Sequence, residues 1–439
     1  MLASYRALRT TLFCLFAIAT VMPAWAGTWG NQVVLGTSAY SGSVTLDAAG
    51  NMASVWFQYE LPNGTPVNEI WASTAAFGQP WSAPVNISGP ISVSGGSPLV
   101  RGSASGNVTA TYASPSLGGT FVDHPAGGSW GTPGPTNGVN QFFVINDHGD
   151  EGLAWGVGQT RVGAGYTSIA VVERPAGSTW SPATTIVTGA HLSLASSVMA
   201  PDGSMAVAWE SFNAVCGSRV CNTSNWVLHV SSRAAGAQNW VDSGPLLGPD
   251  SKQHFGQLAA DGVGDLGVLT ISGSNIVSLV RHGSNWTAPA VVVATSAVSL
   301  GSFASDSAGH ATLLGFDYHV TSILAVDGNL TNNSWGTAAS ITGSDQNPNY
   351  FRFAMSSKGT AIAFYSLLNF NGGNTIWRAV TRPGAGKPWN APATAGTSFE
   401  GGGMPESVAV NGTGQAVVVF HGLSSDFLTN IEYTNTYQP

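Results

Sequence analysis

Five segments of uneven length carry the side chains with which this chain could do chemistry: 58–68, 210–225, 316–320, 365–374 and 421–427. Their ionisable candidates, together with Glu400 nearby, are Glu60, Glu210, Asp317, His319 and His421. Carboxyls hydrolyse a glycosidic bond when two of them stand about 5–10 Å apart across a sugar. Glu60, Glu210, Asp317 and Glu400 come from well-separated stretches, so only a fold that brings them towards one axis pairs them. The alternative for each is a solvated loop residue. Tyr59, Phe212, Tyr318, Phe370 and Phe427 stand beside Asn and Gly in the same segments. Such aromatics suit stacking on a sugar ring, a grip on a protein partner, or local packing. A ligand site is therefore expected at Tyr59, Glu60, Glu210, Asp317, Tyr318, His319 and His421.

Other constellations are weaker. Asp147, Asp150 and Glu151 surround a turn glycine in NDHGDEG. They offer oxygen ligands for Ca²⁺ but lack the EF-hand order, and a plain acidic turn is the expectation. No metal or other cofactor is expected. Cys216 and Cys221, in CGSRVC, have no second Cys pair for a metal and are expected to form a disulfide. No serine-hydrolase elbow, P-loop or dinucleotide fingerprint is present.

The elements that must position these residues follow from a repeat. Trp29, Trp81, Trp130, Trp180, Trp240, Trp286, Trp335 and Trp389 recur at intervals of 46 to 60 residues, as in GSTWSPATTI and GKPWNAPATA. Between them a polar turn ends in Gly50, Gly106, Gly149, Gly203, Gly264, Gly309, Gly359 or Gly414, a hairpin signal. Six residues on stands an aromatic: Trp56, Tyr112, Trp155, Trp209, Tyr365 or Phe420, with Thr270 and Gly315 as exceptions. Each unit thus reads as four strands, and four strands per fifty-residue period point to an all-β chain folded as a β-propeller. The chain opens on a Trp strand without a hairpin, 28–36, and ends on a hairpin without a Trp strand, 406–436. The two incomplete ends complement each other. This favours eight four-stranded blades with the ring closed by the N-terminal strand, and seven if the units around 255–343 pack irregularly. Strand-two loops then leave on one face, where repeat proteins vary to meet ligands.

Residues 1–26 read as an export signal. Arg6 and Arg9 precede an apolar run too short to span a bilayer, and Ala24-Trp25-Ala26 sets cleavage before Gly27. Residues 27–439 are then a single domain, secreted or periplasmic, with no membrane span. Charged residues make up 8% of the sequence and the net charge is −8. A dilute acidic surface excludes nucleic acid and anionic lipid as partners, since both require clustered Lys and Arg. A monomer is expected.

The repeat resembles the secreted bacterial propellers of the sialidase-like, BNR-repeat superfamily, on the G-S-T-W of RPAGSTWSP, which lacks the Asp-box aspartate. That resemblance implies an enzyme with three arginines on a carboxylate, a Tyr/Glu pair and an Asp acid. The arginines here fit poorly. Arg174, Arg233, Arg281 and Arg382 recur at the end of strand three, a structural or merely exposed position. Only Arg101 and Arg352 lie on first strands, which line a propeller's channel. The expectation is a non-catalytic propeller binding a glycan or another extracellular surface through one face. The alternatives are a glycoside hydrolase of the sialidase-like class and a structural envelope or interaction protein.

Overall fold

The computed structural model describes residues 27–439 except 61–66, 90–96, 115–117, 137–141, 161–164, 217–220, 295–297, 346, 368–373, 399–403 and 424–428. Among the described residues every regular element is a β-strand, and no helix is long and apolar enough to cross a membrane. The export signal, Glu400, Phe370 and Phe427 lie outside the described residues.

The glycine turns organise the chain. All eight turn glycines have φ between 77° and 91°, where a Cβ would crowd the backbone. Three residues before each stands a buried Asp47, Ser103, Asn146, Ala200, Asp261, Asp306, Ser356 or Asn411. Its carbonyl accepts the glycine N–H. Asp306 shows what an acid adds: Oδ1 accepts from the N–H groups of Ala308 and His310, at 3.0 and 2.9 Å. The turns also meet their neighbours. Ala104 N donates to Asp147 O at 3.0 Å, and Ser307 N to Ser357 O at 3.0 Å. Asn146 Nδ2 donates to Ala200 O at 3.2 Å. The last turn returns to the first, where Asn411 Nδ2 donates to Asp47 O at 3.2 Å across 364 residues.

Each turn joins the first two strands of an antiparallel sheet, as Ala39–Leu46 and Asn51–Glu60 do in the first unit. Among the described residues six sheets have four or five strands, and a seventh has eight. In the large one, Thr184–Met199 runs on from the third unit into the fourth. It pairs first with Tyr166–Arg174 and then, from Leu192 onward, with Met205–Cys216. The first strands of consecutive units pack side by side, and Pro405–Val410 of the last unit packs on Ala39–Leu46 of the first. The architecture is a β-propeller. Thr28–Trp29 and Val33–Thr37 pair with Asn430–Gln438, so the N-terminal strands complete the last sheet as the complementary chain ends lead one to expect.

The core lies between sheets. Trp56, Tyr112, Trp155, Trp209, Tyr365 and Phe420 are all buried. At Gly315, where the aromatic rule fails, a Cβ would stand 2.6 Å from the Ser299 carbonyl oxygen. Cys216 and Cys221 face each other across the second and third strands of the fourth unit and form a disulfide.

Arginines at the end of strand three join the units through ion pairs and hydrogen bonds. Arg174 reaches back to Asp123 of the preceding unit at 2.7 Å and holds Glu151 of its own at 2.6 Å. Arg233 reaches Glu173, Arg281 reaches Ser232, and Arg382 reaches Asp327. The repeated tryptophans cover some of these cations: Trp180 lies 5.2 Å from the Arg174 guanidinium and Trp389 5.0 Å from that of Arg382. Of the two expectations for these arginines, the structural one holds. Burial pushes the Glu151 carboxyl up, against the pull of Arg174. Removing the cation alone is therefore costly. Arg174→Ala should lower stability by about 3 kcal/mol, measured as a fall in the urea midpoint. Arg174→Met combined with Glu151→Leu should recover most of that loss.

Candidate functional site

First strands are the only parts of a propeller that every unit sends to the axis, so their polar side chains decide what the centre can hold. A cavity of about 790 Å³ opens there, and its walls include Ser43, Thr45, Arg101, Arg352, Glu406 and His421. Arg101 stands on Leu99–Gly102 and Arg352 on Pro348–Met355. Arg101 Nη1 donates to Val100 O at 2.9 Å. Arg352 Nε donates to Glu406 O at 3.0 Å and Nη1 to Phe351 O at 3.2 Å. Neither forms an ion pair with a described carboxylate, whereas Arg174, Arg233, Arg378 and Arg382 all do. Burial pulls both guanidiniums down from their ordinary pKa. Glu406 offsets part of this at Arg352, and no charge offsets it at Arg101.

The wall beside them is acidic. Glu406 opens the first strand of the last unit and reaches across the ring closure. Its Oε1 accepts Ser41 N at 2.8 Å and its Oε2 accepts Gly42 N. Ser41 has a left-handed φ of 58° within an irregularity of its strand. That conformation turns two successive N–H groups to one side, a concavity suited to an anion. His421 Nδ1 lies 2.5 Å from Glu406 Oε1. Behind them Glu432 is fully buried, with neither a backbone donor nor a cation on its oxygens. Burial, and then the neighbouring Glu406, push its carboxyl well above the ordinary value. A Cβ at Gly42 would collide with Glu432, which is why glycine stands there. A carboxyl so deeply buried beside another acid keeps its proton where an exposed one would ionise.

The expected site residues are dispersed. Tyr59 and Glu60 end the strand Asn51–Glu60, and Tyr59 is exposed. Asp317, Tyr318 and His319 share one exposed turn, where Asp317 Oδ1 accepts His319 N at 2.8 Å. Tyr318 leans edge-on against Phe316. Glu210 is not on a loop. Met205–Cys216 extends further than the aromatic rule suggests, and Glu210 is fully buried within it. Its Oε1 accepts His254 N at 2.7 Å and Phe255 N at 2.9 Å. Phe212 is likewise buried, stacked on Trp226 at 4.0 Å. His421 lies within the strand Ala416–Leu423 and is the one expected residue that lines the axial cavity. Glu151 of the calcium candidate is ion-paired to Arg174. Asp150 Oδ2 accepts from Asn146 and Oδ1 from Ala176 N. No group of three His, Cys, Asp or Glu among the described residues could hold a metal. Sequence reasoning missed Glu406 and Glu432. Their signal was a carboxylate inside an apolar strand, in PESVAV and NIEYT, in a chain that uses charge sparingly.

No protein-family model matches the chain, and no characterised protein matches it in sequence. Similar solved structures include a mutant of the Aleuria aurantia lectin in complex with alpha-methyl-L-fucoside. It is 13% identical, with 81% of this chain and 95% of that one covered and a TM-score of 0.40. They include NanB sialidase from Streptococcus pneumoniae, 12% identical over 92% of this chain and 70% of that one, with a TM-score of 0.35. Prolyl oligopeptidase B from Galerina marginata is 9% identical over 93% of this chain, which spans about half of it (54%), with a TM-score of 0.49. At these scores nothing of their chemistry carries over.

The acid cluster makes stability depend on pH. Folded Glu432 keeps its proton over a range above 4.5 in which the unfolded chain releases it. Its contribution is complete below that pH and is lost as pH rises towards the folded value. Glu151 and Glu210 act in the same direction. Wild-type stability should therefore fall between mildly acidic and alkaline pH. Glu432→Gln, neutral throughout, should flatten part of that slope in urea midpoints measured across the range.

Proposed function

We propose that residues 27–439 form a single eight-bladed propeller, exported after cleavage near Ala26. It binds, without catalysis, an acidic group of a glycan or other extracellular ligand in the central cavity. The count of eight is supported by the eight glycine turns and by the return of the last to the first. Export is supported by the Cys216–Cys221 disulfide, which forms in oxidising compartments.

One observation carries the binding reading. Arg101 and Arg352 line the cavity without an ion pair, whereas Arg174, Arg233, Arg378 and Arg382 each hold a carboxylate. A partly desolvated guanidinium is stabilised by an anion, and a planar fork suits a carboxylate or sulfate. Against hydrolysis, Glu406 is the carboxyl that lines the cavity, while Glu432 is sealed behind it. A glycosidase needs both carboxyls on the substrate. The hydrolase reading retains one supporting observation, the Glu406–His421 pair on the cavity wall, and turnover of any chromogenic glycoside would favour it.

The test is a panel of immobilised glycans, neutral, uronate-containing, sialylated and sulfated. The wild-type chain should bind members of the acidic classes. Arg101→Ala with Arg352→Ala should weaken that binding at least roughly tenfold, the scale of losing hydrogen bonds to a charged group. Equal binding by the double variant, or equal competition by neutral glycans, contradicts the reading.

A further inference from the structure

We propose a second ligand site, a platform for stacking a pyranose ring, at Phe255 in the groove between the fourth and fifth units. It rests on the reading of the chain as a glycan binder but does not use the central cavity. The connection that bears Phe255 runs from the last strand of the fourth unit to Gln257–Ala260, the first of the fifth. By chain direction it lies on the face opposite the glycine turns.

Phe255 adopts a left-handed φ of 55°, a conformation that a bulky aromatic avoids. The surroundings impose it. Buried Glu210 takes both the His254 and Phe255 N–H groups on one carboxylate oxygen. The buried His254 ring lies 2.8 Å from Ile271 O and 3.2 Å from Trp226 O. Thr270 Oγ1 donates to His254 O at 2.7 Å. Thr270 is one of the two places where the strand-two aromatic is missing, and a hydroxyl that anchors this connection stands there instead.

All this fixed structure leaves Phe255 53% exposed. A connection serving only to seal the groove would turn the ring inward, where burial is favourable. Backbone strain held by an over-determined surrounding is characteristic of binding sites. The ring borders a groove of about 520 Å³ with Trp226 in its wall and Thr223, Lys252, Gln253 and Asn275 around it. An apolar ring face beside hydroxyl, amide and ammonium groups matches a pyranose, which has an apolar C–H face and a rim of hydroxyls.

Saturation-transfer NMR on the exported full chain, with methyl pyranosides of glucose, galactose, mannose and N-acetylglucosamine, tests the site. At least one should receive saturation, concentrated on the protons of one ring face. Phe255→Ala should weaken its binding roughly tenfold, while Phe255→Tyr retains it and Arg101→Ala with Arg352→Ala leaves it unchanged. Phe255→Gly relieves the left-handed backbone, so it should match or exceed the wild-type melting temperature and still lose binding. The proposal is overturned if no methyl pyranoside receives saturation, if Phe255→Ala binds like wild type, or if Phe255→Gly lowers the melting temperature. Loss of acidic-glycan binding in the double arginine variant alone bears on the central cavity and not on this site.

Discussion

The pairing of the chain's two ends is the contact on which the rest depends. Asn430–Gln438 would be an open sheet edge without Thr28–Trp29 and Val33–Thr37 against it, and an unpaired edge invites association with other chains. The same junction brings Pro405–Val410 against Ala39–Leu46. Only there can Glu406 reach the N–H groups of Ser41 and Gly42, 365 and 364 residues away. The acidic wall of the central cavity is thus a product of ring closure. Its charge arrangement would not exist in an open array of the same units.

Elsewhere the units are joined by a repeated device, an arginine at the end of strand three directed at the preceding unit. Each is partly or fully buried with a polar partner, which makes it a locus of specificity between neighbours more than a source of net stability. Against that background the cavity arginines stand out. Arg101 and Arg352 satisfy some of their donors on main-chain carbonyls, which neutralises no charge. Among the described residues Arg174, Arg233, Arg378 and Arg382 each hold a carboxylate, whereas Arg101 and Arg352 on the wall of the central space form no ion pair.

Much of the architecture was legible in the sequence because the relevant constraints are local. A left-handed turn requires glycine, so Gly50 to Gly414 mark the hairpins. A buried strand-two position wants an aromatic, so Trp56 and its counterparts mark the core. The missing halves of the first and last units announced the closing pair. The cavity was only half legible. Arg101 and Arg352 were placed on the channel by strand register alone, whereas Glu406, His421 and Glu432 stand on three adjacent strands of the last unit, and no local pattern marks Glu406 as reaching across to the first. Glu210 was assigned to a loop because the aromatic at Trp209 was taken as the strand's end, while Met205–Cys216 continues past it to the disulfide. Phe255 carried no periodic signal. Its only trace was the absence of an aromatic at Thr270.

The role proposed for the axial cavity is to receive an acidic group. Its most direct test is a crystal structure of residues 27–439 with a uronate-containing oligosaccharide. The carboxylate should lie within about 3 Å of guanidinium nitrogens of Arg101 and Arg352, with His421 and Glu406 beside the adjoining hydroxyls. Ordered ligand elsewhere on the propeller, with both guanidiniums still facing an empty cavity, would contradict it.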